Sequence, residues 1–568
     1  MLAASPAVRS VCARALFLGS AAVTVAIYLW TDHVYARVGD FDLAPIFRLL
    51  FAYYDGQAAA GLILILIVAA LVARPGWLRP VAGWVSDHTR AIAAATAVLL
   101  SFATLVLYGN DPFTMDEFVQ LSQAKVFAAG HLAGQFPPHL VDWLIPPEWH
   151  RTFVEISPTT GEVASKYWPS FALLLVPFTW VGISWACNPI ISALTLLVIH
   201  RLALQLFEDR EAAGFAVLFT VASPVLFAEG SSYYSEPAHL LTNAVYALLL
   251  MRPSPRKALV AGLVGSLALT LHNPFPHTLF ALPWFVWLAS RQQGMRLLAW
   301  LCTGYLPLSL LLGLGWPLFV HGLPHGTLAL RSDDIFGMHD PVHPSFLTLV
   351  PRLGVLYARL IGLAKLWLWA VPGLIILACA GAWKTRHDVR CRLLAASALT
   401  TLVGYLFAGF DQGHGWGFRY FHSVWFVLPL FAAAALTRSD AAEVGESFAN
   451  DDVRAFVTAC ALLTLFVGVG QRAVQIDGFV SSEVSQGPRY GGDDSRVVIY
   501  NAWRTGYGNG LVHNDPWLHD KVIHLYSHGA AADADMMHRE FPDLRKVYTD
   551  PFGSVWAARS QPIAAGLR

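Results

Sequence analysis

An adjacent pair of acidic residues, Asp116 and Glu117, lies a few residues beyond the uncharged apolar run 91–108. The pair opens a long polar segment before the hydrophobic character of the chain resumes. Ionisable groups close to a bilayer persist mainly where they line a cavity or take part in chemistry. The pair therefore indicates the mouth of a site, although acids at the end of an apolar run also often only face solvent.

The residues that follow this pair predict the element that carries it. Apolar side chains between 118 and 132 recur at helical spacing, and Gly130 stands where such a helix would end. This pattern is typical of an amphipathic helix with a glycine at its C-terminus. We expect the helix to hold the two carboxylates at the membrane interface.

The composition indicates a polytopic membrane protein. Hydrophobic residues make up 56% of the chain and charged residues 13%, with a mean hydropathy of +0.50. These values exclude a soluble globular protein of ordinary composition, and no basic patch indicates binding to nucleic acid. About thirteen apolar runs are long enough, or nearly so, to cross a bilayer, near 15–30, 57–73, 91–108, 186–206, 212–228, 237–251, 258–272, 277–290, 297–320, 366–383, 393–410, 420–437 and 455–470.

The placement of basic residues predicts the topology. Arg9 and Arg14 precede the first apolar run, and further basic residues fill alternate later loops. This is a positive-inside pattern with a cytoplasmic N-terminus. An odd number of spans puts the tail 471–568 and the polar clusters outside. The high content of Ala, Leu, Gly and Trp suggests a bacterial source, so we expect a bacterial inner membrane.

We predict three regions along the chain. Residues 1–90 form two additional N-terminal transmembrane helices, and residues 91–470 form a transmembrane module with an outer catalytic loop at 109–185. Residues 471–568 carry two strand-like runs and a helical stretch, which predict a small extracytoplasmic α/β cap. The six cysteines lie in or beside apolar runs and imply no disulfide framework.

Two outer segments need separate interpretations. The stretch 168–186 cannot cross the membrane if the next crossing starts near Asn188, so we expect a helix at the outer interface. The segment 321–352 carries Asp333, Asp334 and Asp340 and is interpreted as an acceptor-side loop or a solvated loop.

Several short motifs occur in an order that resembles a known family. They are found at 116–132, 161–169, 188–203, 233–236 and 415–420. Together they are similar to the GT-C membrane glycosyltransferases that use polyprenyl-phosphate sugars, in particular the protein mannosyltransferase and aminoarabinose transferase group. The resemblance implies an all-α polytopic GT-C fold and a monosaccharide transfer outside the cytoplasm.

The resemblance also implies a role for the acidic pair. Transfer from a polyprenyl phosphate separates charge at the anomeric carbon, so the acceptor hydroxyl needs a nearby carboxylate as general base. Asp116 matches the first acid of the family motif and is the expected base. Glu117 is the alternative.

The leaving phosphate needs positive charge, and four residues are candidates for its lipid-phosphate site. Lys166 and Arg419 are the first choices, since arginine suits a bidentate phosphate contact and lysine supplies a point charge. His272 and His414 are weaker choices, and His272 stands where relatives often have an arginine before proline. Basic residues at membrane edges also commonly snorkel to the interface.

A second acid and two aromatic residues complete the predicted site. Glu236 and His239 lie at i and i+3, and they could contact the acceptor or hold a divalent metal such as Mg or Mn. Beside Pro237, Glu236 also suits ordinary helix capping. Trp168 and Trp416 are candidates for stacking on a sugar, or for the aromatic belt of a membrane protein.

Two other functions share many of these features. A transporter or flippase of lipid-linked sugars also has many spans, but it should show repeats and charge on both faces. A ligase for preassembled glycans uses the same kind of donor without a loop carboxylate. The expected partners are therefore a polyprenyl-phosphate sugar, the bilayer, and a glycan, lipid or protein acceptor.

Overall fold

The described part of the protein covers most of the chain. The computed structural model describes residues 10–36, 46, 49–145, 149–150, 153–292, 294–324, 350–351, 353–409, 414–437, 448, 450–501 and 512–558. The predicted acceptor-side segment with Asp333, Asp334 and Asp340 lies outside these residues.

Helices dominate the structure. In chain order they are α1 Val11–Ala36, α2 Gly56–Val72, α3 Pro75–Leu78, α4 Val81–Asp87, α5 Thr89–Leu107, α6 Met115–Ala128, α7 Val141–Leu144, α8 Ser170–Trp180, α9 Cys187–Phe207, α10 Arg210–Ala222, α11 Pro224–Gly230, α12 Glu236–Leu250, α13 Pro255–Leu269, α14 Phe275–Ala289, α15 Gly294–Leu308, α16 Gly315–His321, α17 Leu353–Leu368, α18 Leu374–Lys384, α19 Val389–Gly404, α20 Arg419–His422, α21 Val427–Ala435, α22 Asp451–Leu463, α23 Val469–Val484 and α24 Ala530–Glu540.

Within the described residues, short strands form three small sheets. They are β1 Gly134–Gln135, β2 Val154–Ile156, β3 Glu162–Ser165, β4 His414–Gly415, β5 Gly417–Phe418, β6 Ser495–Tyr500, β7 Ile523–Tyr526, β8 Leu544–Asp550 and β9 Gly553–Ala558. The C-terminal sheet has the order β7-β6-β9-β8, with β6 and β7 parallel and the other pairs antiparallel. The strands and the helix predicted for the tail are confirmed.

Seven helical segments of the described residues are long and apolar enough to cross a membrane. They are Val11–Val34, Leu49–Val72, Thr89–Leu107, Ser184–Phe207, Gly294–His321, Val389–Phe407 and Asp451–Val484. Helices α10 and α11 meet at 60° and would make an eighth span together. The polytopic all-α class is confirmed.

The expected number of about thirteen spans exceeds this count for a physical reason. The predicted apolar runs do fall largely on helices, but several of these helices are short. Helix α12, for example, has 15 residues and is therefore about 22 Å long, whereas a hydrocarbon core is about 30 Å thick. An apolar run shows that a segment is hydrophobic, but it does not fix the length of the helix that contains the segment. Counting such runs therefore gives more spans than the helix lengths support.

The chain divides into two compact units. The first unit comprises Met1–Thr104, Trp185–Leu311 and Gly337–Gln475, and the second unit comprises Leu105–Ser184, Leu312–Phe336 and Ile476–Arg568. In the first unit, α13 and α15 pack closely at Gly262 and Gly304. A Cβ atom on either glycine would lie 2.1 Å from a carbonyl oxygen of the other helix. Small residues allow this approach between helix backbones.

The second unit joins the predicted outer loop and the tail around one hydrophobic core. Phe118 and Val119 of α6 lie in the same buried cluster as Val497 and Ile499 of β6 and Leu525 of β7. Burial of each large apolar side chain stabilises the fold by about 1.5–3 kcal/mol. The helix that carries the acidic pair is therefore held in place by the C-terminal sheet.

Helix α8 accounts for the stretch at 168–186. It has 11 residues, about half of what a membrane crossing needs, and α9 then starts at Cys187. A helix that begins near Asn188, as predicted, is confirmed, and it is long and apolar enough to cross a membrane. The interfacial position of α8 stays a prediction.

Candidate functional site

The first turn of α6 fixes the acidic pair. Thr114 and Glu117 form a capping box, in which the Glu117 carboxylate accepts hydrogen bonds from the Thr114 backbone, the Thr114 hydroxyl and the Phe113 backbone, each at 3.1 Å. Glu117 is only 1% exposed. These contacts satisfy backbone donors at the helix N-terminus, so Glu117 is engaged in the structure of the turn.

Asp116 points to a different partner. Its side chain is half-buried, and Oδ1 accepts a hydrogen bond from the Tyr167 hydroxyl. The Tyr167 backbone N–H in turn donates to the Ser165 hydroxyl at 3.1 Å, and the Ser165 N–H donates to the Gln123 side chain at 2.8 Å. Because Gln123 belongs to α6, these bonds fix Tyr167 relative to Asp116.

The residues beside Tyr167 are the predicted phosphate and sugar contacts of this unit. Lys166 is half-buried, and its backbone N–H donates to the Phe153 carbonyl at 3.0 Å. The Trp168 indole donates to the Gly313 carbonyl at 2.8 Å. The structure thus brings Asp116, Lys166 and Trp168 into one neighbourhood, arranged around the bond from Tyr167.

Gln120 is a residue of this site that the sequence analysis missed. It lies one turn after Asp116, at i+4, on the same face of α6. The side chain is 2% exposed, and neither amide atom has a hydrogen-bond partner among the described residues. Buried amides almost always have partners, so Gln120 is a candidate contact for a polar ligand; its spacing from Asp116 is the signal that could have identified it.

A histidine from the tail covers the opposite side of this helix start. The rings of Phe118 and His513 stack with centroids 4.5 Å apart and planes at 5°. Burial lowers the pKa of His513 to about 3, and the nearby His524 and Lys125 add to this shift. His513 is therefore neutral in the folded protein at physiological pH.

In the first unit, Glu236 and Arg419 form an ion pair. The Arg419 Nε donates to Oε1 of Glu236 at 2.7 Å, and both side chains are 12% exposed. The Arg419 guanidinium lies 4.0 Å above the ring of Tyr234. The Asn188 amide donates to the carbonyl of Tyr234 at 2.8 Å, so the start of α9 fixes the loop that leads to Glu236.

Several buried polar atoms near this ion pair lack partners among the described residues. They are Oε2 of Glu236, both ring nitrogens of His239 and Nδ1 of His422. His239 and His422 are each 2% exposed. Buried groups of this kind are normally satisfied by protein, water or ligand, so this part of the first unit can accept a polar ligand.

Of the other two predicted histidines, one contacts a neighbouring side chain and the other is described by its backbone. His272 lies 3.2 Å from the Asn273 amide through its Nδ1. His277, which was not predicted, is fully buried between Asn243 and Tyr305, with 2.6 Å to each. For His414, the structure describes the backbone, which pairs with Phe418 in the β4–β5 hairpin.

The β4–β5 hairpin contains the predicted motif 415–420. Gly417 has a φ of 90°, a conformation that favours glycine. It allows the chain to reverse through the single residue between β4 and β5, shortly before Arg419. Trp416 is buried, and its ring lies 6.1 Å from Tyr54 and 5.9 Å from Trp369. This packing is typical of a structural aromatic cluster.

The divalent metal considered for Glu236 and His239 stays a prediction. Within the described residues, no group of three His, Cys, Asp or Glu side chains is arranged to hold a metal ion. Glu236 is paired with Arg419, and a guanidinium beside the carboxylate opposes the binding of a second cation. No step of the mechanism below uses a metal.

A comparison with solved structures finds a protein of the same fold. ArnT from Cupriavidus metallidurans bound to undecaprenyl phosphate aligns over 83% of this chain and 98% of its own, with a TM-score of 0.51 and 11% identity. The apo form of that protein aligns over 82% and 97%, with a TM-score of 0.47 and 12% identity. No family model matches the chain, and no curated protein sequence matches it.

This match confirms the predicted fold class. ArnT is an aminoarabinose transferase with the GT-C fold, so the chain has the polytopic GT-C fold with a small sheet in its C-terminal region. The resemblance inferred from the sequence motifs therefore holds at the level of the fold.

Proposed function

We propose that this protein, which has the GT-C fold, is an integral membrane glycosyltransferase. It transfers a monosaccharide from a polyprenyl-phosphate donor to a glycan, lipid or protein acceptor outside the cytoplasm. One observation carries the proposal: the half-buried Asp116 carboxylate is held by Tyr167 at the start of α6, in a chain with the fold of a protein bound to undecaprenyl phosphate.

Asp116 is the proposed general base. The acceptor hydroxyl oxygen forms a bond to the anomeric carbon while the bond from that carbon to the phosphate oxygen breaks. The hydroxyl proton passes to the Asp116 carboxylate, and the polyprenyl phosphate leaves with the electron pair. A single displacement of this kind inverts the anomeric configuration.

Two side chains, Gln120 on α6 and Tyr167 just after β3, support this role for Asp116. The Tyr167 hydroxyl orients the carboxylate through one oxygen, which leaves the attack geometry fixed before the acceptor arrives. The amide of Gln120, one turn along the helix, is suited to contact a sugar hydroxyl of the donor or acceptor.

The developing charge on the phosphate needs cations. Lys166, next to Tyr167 in the chain, and Arg419 are the proposed phosphate contacts. Glu236 orients the Arg419 guanidinium through a 2.7 Å bond to Nε. In this interpretation Glu236 positions Arg419, which contacts the phosphate, and Glu236 does not bind a metal.

The proposed setting is the inner membrane of a bacterium. Residues 91–470 form the transmembrane module after two additional helices in 1–90, and 471–568 cap the extracytoplasmic side. The positive-inside pattern of the loops supports this orientation, and the apolar helices support a membrane setting.

The test is a transfer assay with purified protein in detergent or nanodiscs. Radiolabelled sugars on synthetic polyprenyl phosphate are supplied with extracted cell-envelope acceptors, with and without chelator. Labelled acceptor together with free polyprenyl phosphate supports the proposal. Donor binding without transfer, accompanied by donor movement across proteoliposomes, would replace it with a flippase; transfer of only preassembled glycans would replace it with a ligase.

A further inference from the structure

Three charged side chains are completely buried together in the first unit. Asp55 lies 2.5 Å from Nζ of Lys365 through Oδ2 and 2.8 Å from Nη2 of Arg472 through Oδ1. Each of the three side chains is 1% exposed. Asp55 and Arg472 belong to segments long and apolar enough to span a membrane.

This cluster has two cations and one carboxylate. The Trp369 indole also donates to Oδ1 of Asp55 at 2.8 Å, and its ring lies 3.8 Å from the Arg472 guanidinium. Removing charges from water is costly, and a buried ion pair is often no more stabilising than apolar residues of the same size. Ionisable groups in such segments are therefore functional candidates.

Lys365 joins the cluster to the hairpin that precedes Arg419. Its ammonium group donates to the Gly415 carbonyl at 3.1 Å. A Cβ atom built on Gly415 would lie 3.1 Å from Cδ of Arg419, so the Arg419 stem rests on the Gly415 backbone. The end of that stem is the Nε that binds Glu236.

The helix that carries Lys365 contacts the motif 415–420 along one of its faces. Arg359 of α17 lies 4.6 Å above the Tyr420 ring, and Gly362 packs against the ring of Phe418. Lys365 follows three residues later and binds Gly415. Residues at i, i+3 and i+6 of one helix thus fix three successive parts of the motif.

We propose that Lys365 and Asp55 are positioning residues for Arg419. Lys365 anchors the Gly415 carbonyl and thereby sets the path of the Arg419 stem, and Asp55 keeps Lys365 and Arg472 in place by compensating their charge. The second of the two additional N-terminal helices then has a function, because the segment Leu49–Val72 supplies Asp55. This inference rests on the proposed role of Arg419 in binding the donor phosphate.

The charges of the cluster provide a selective test. Replacing Lys365 by methionine leaves Asp55 and Arg472 as a balanced pair, so the fold is retained while the Gly415 anchor is lost. The readout is binding of undecaprenyl phosphate to the full-length protein in nanodiscs. Lys384→Met is the matched control, since that lysine is exposed at the end of α18 and binds Thr437.

We expect Lys365→Met to weaken binding by about tenfold, with Lys365→Arg recovering part of the loss and Lys384→Met without effect. In an Arg419→Ala background, Lys365→Met should cause no further loss, since the lysine acts through the arginine. A full additional loss in that background, or wild-type binding by Lys365→Met alone, would overturn the positioning role.

A second variant covers the case in which Lys365→Met does not fold. Gly415→Ala adds a methyl group 3.1 Å from Arg419 Cδ without changing any charge, and we expect a similar weakening of binding. Wild-type binding by Gly415→Ala would contradict the proposal. If Arg419→Ala itself binds like wild type, the phosphate role of Arg419 is wrong and the positioning role falls with it.

Discussion

The Tyr167 hydroxyl donates a hydrogen bond to Oδ1 of Asp116, although the two residues are 51 positions apart in the chain. The bond connects two of the motifs that carry the resemblance to GT-C transferases, 116–132 and 161–169. It also separates the roles of the acidic pair, because Glu117 is occupied by the capping box of α6.

Replacing Tyr167 by phenylalanine removes this bond and keeps the ring. We expect kcat to fall about tenfold with little change in KM, since a hydrogen bond to a charged group contributes about 1.5–3 kcal/mol. Steady-state kinetics of sugar transfer measure the effect. The matched control is Tyr490→Phe, which removes a Tyr–Asp bond of the same type to Asp494; equal losses in both variants would contradict the assignment.

Glu117 should matter for stability and not for chemistry. We expect Glu117→Ala to lower the free energy of unfolding by about 1 kcal/mol because the capping box is lost. Glu117→Gln can still accept the backbone bond and should retain both fold and transfer. Thermal denaturation and transfer assays on both variants decide the matter, and an inactive but folded Glu117→Gln would make Glu117 the base instead of Asp116.

Gln120 should show the opposite behaviour. Methionine has a similar volume and no unsatisfied polar atoms, so Gln120→Met is expected to raise stability by about 1 kcal/mol. The same change should lower kcat/KM for transfer, since a proposed sugar contact is removed. Gln123→Met is the comparison, because Gln123 is bonded to Ser165 and its loss should destabilise the protein; a Gln120→Met enzyme with normal kinetics would exclude the contact.

The buried His513 predicts a stability that depends on pH. Its folded pKa of about 3 lies below the unfolded value of about 6.5, so the unfolded chain binds more protons between these values. The free energy of unfolding should therefore be unaffected above about pH 6.5 and fall as the pH drops towards 3.

His513→Phe keeps the stack on Phe118 and removes the titration. We expect denaturation curves of this variant between pH 7 and 4 to show a smaller dependence on pH, by up to about 1.4 kcal/mol per pH unit. An unchanged pH dependence would show that other groups, such as His524, dominate acid unfolding.

Local patterns predicted the elements well where one face is apolar. The helical spacing after Asp116 and the glycine at 130 predicted α6, which the structure has at Met115–Ala128. The strand-like runs of the tail predicted β6 and β7. In each case the information lies within a few residues, because burial of one face sets the period.

Pairings between distant segments could not be predicted in this way. Asp55 and Lys365 are 310 positions apart, and each lies just before the start of an apolar run, where a charged residue is ordinarily interpreted as facing water. Their contact depends on how the helices pack, which hydrophobic periodicity does not encode. The same holds for the bond between Glu236 and Arg419, both of which were predicted as separate ligands.

The most direct test of the proposed function is single-turnover transfer by Asp116→Asn, compared with wild type and with Asp142→Asn, an exposed acid of the same loop. We predict that Asp116→Asn binds the polyprenyl-phosphate sugar with normal affinity and loses transfer by at least about a hundredfold, while Asp142→Asn matches wild type. Transfer by Asp116→Asn at the wild-type rate would contradict the assignment of the base.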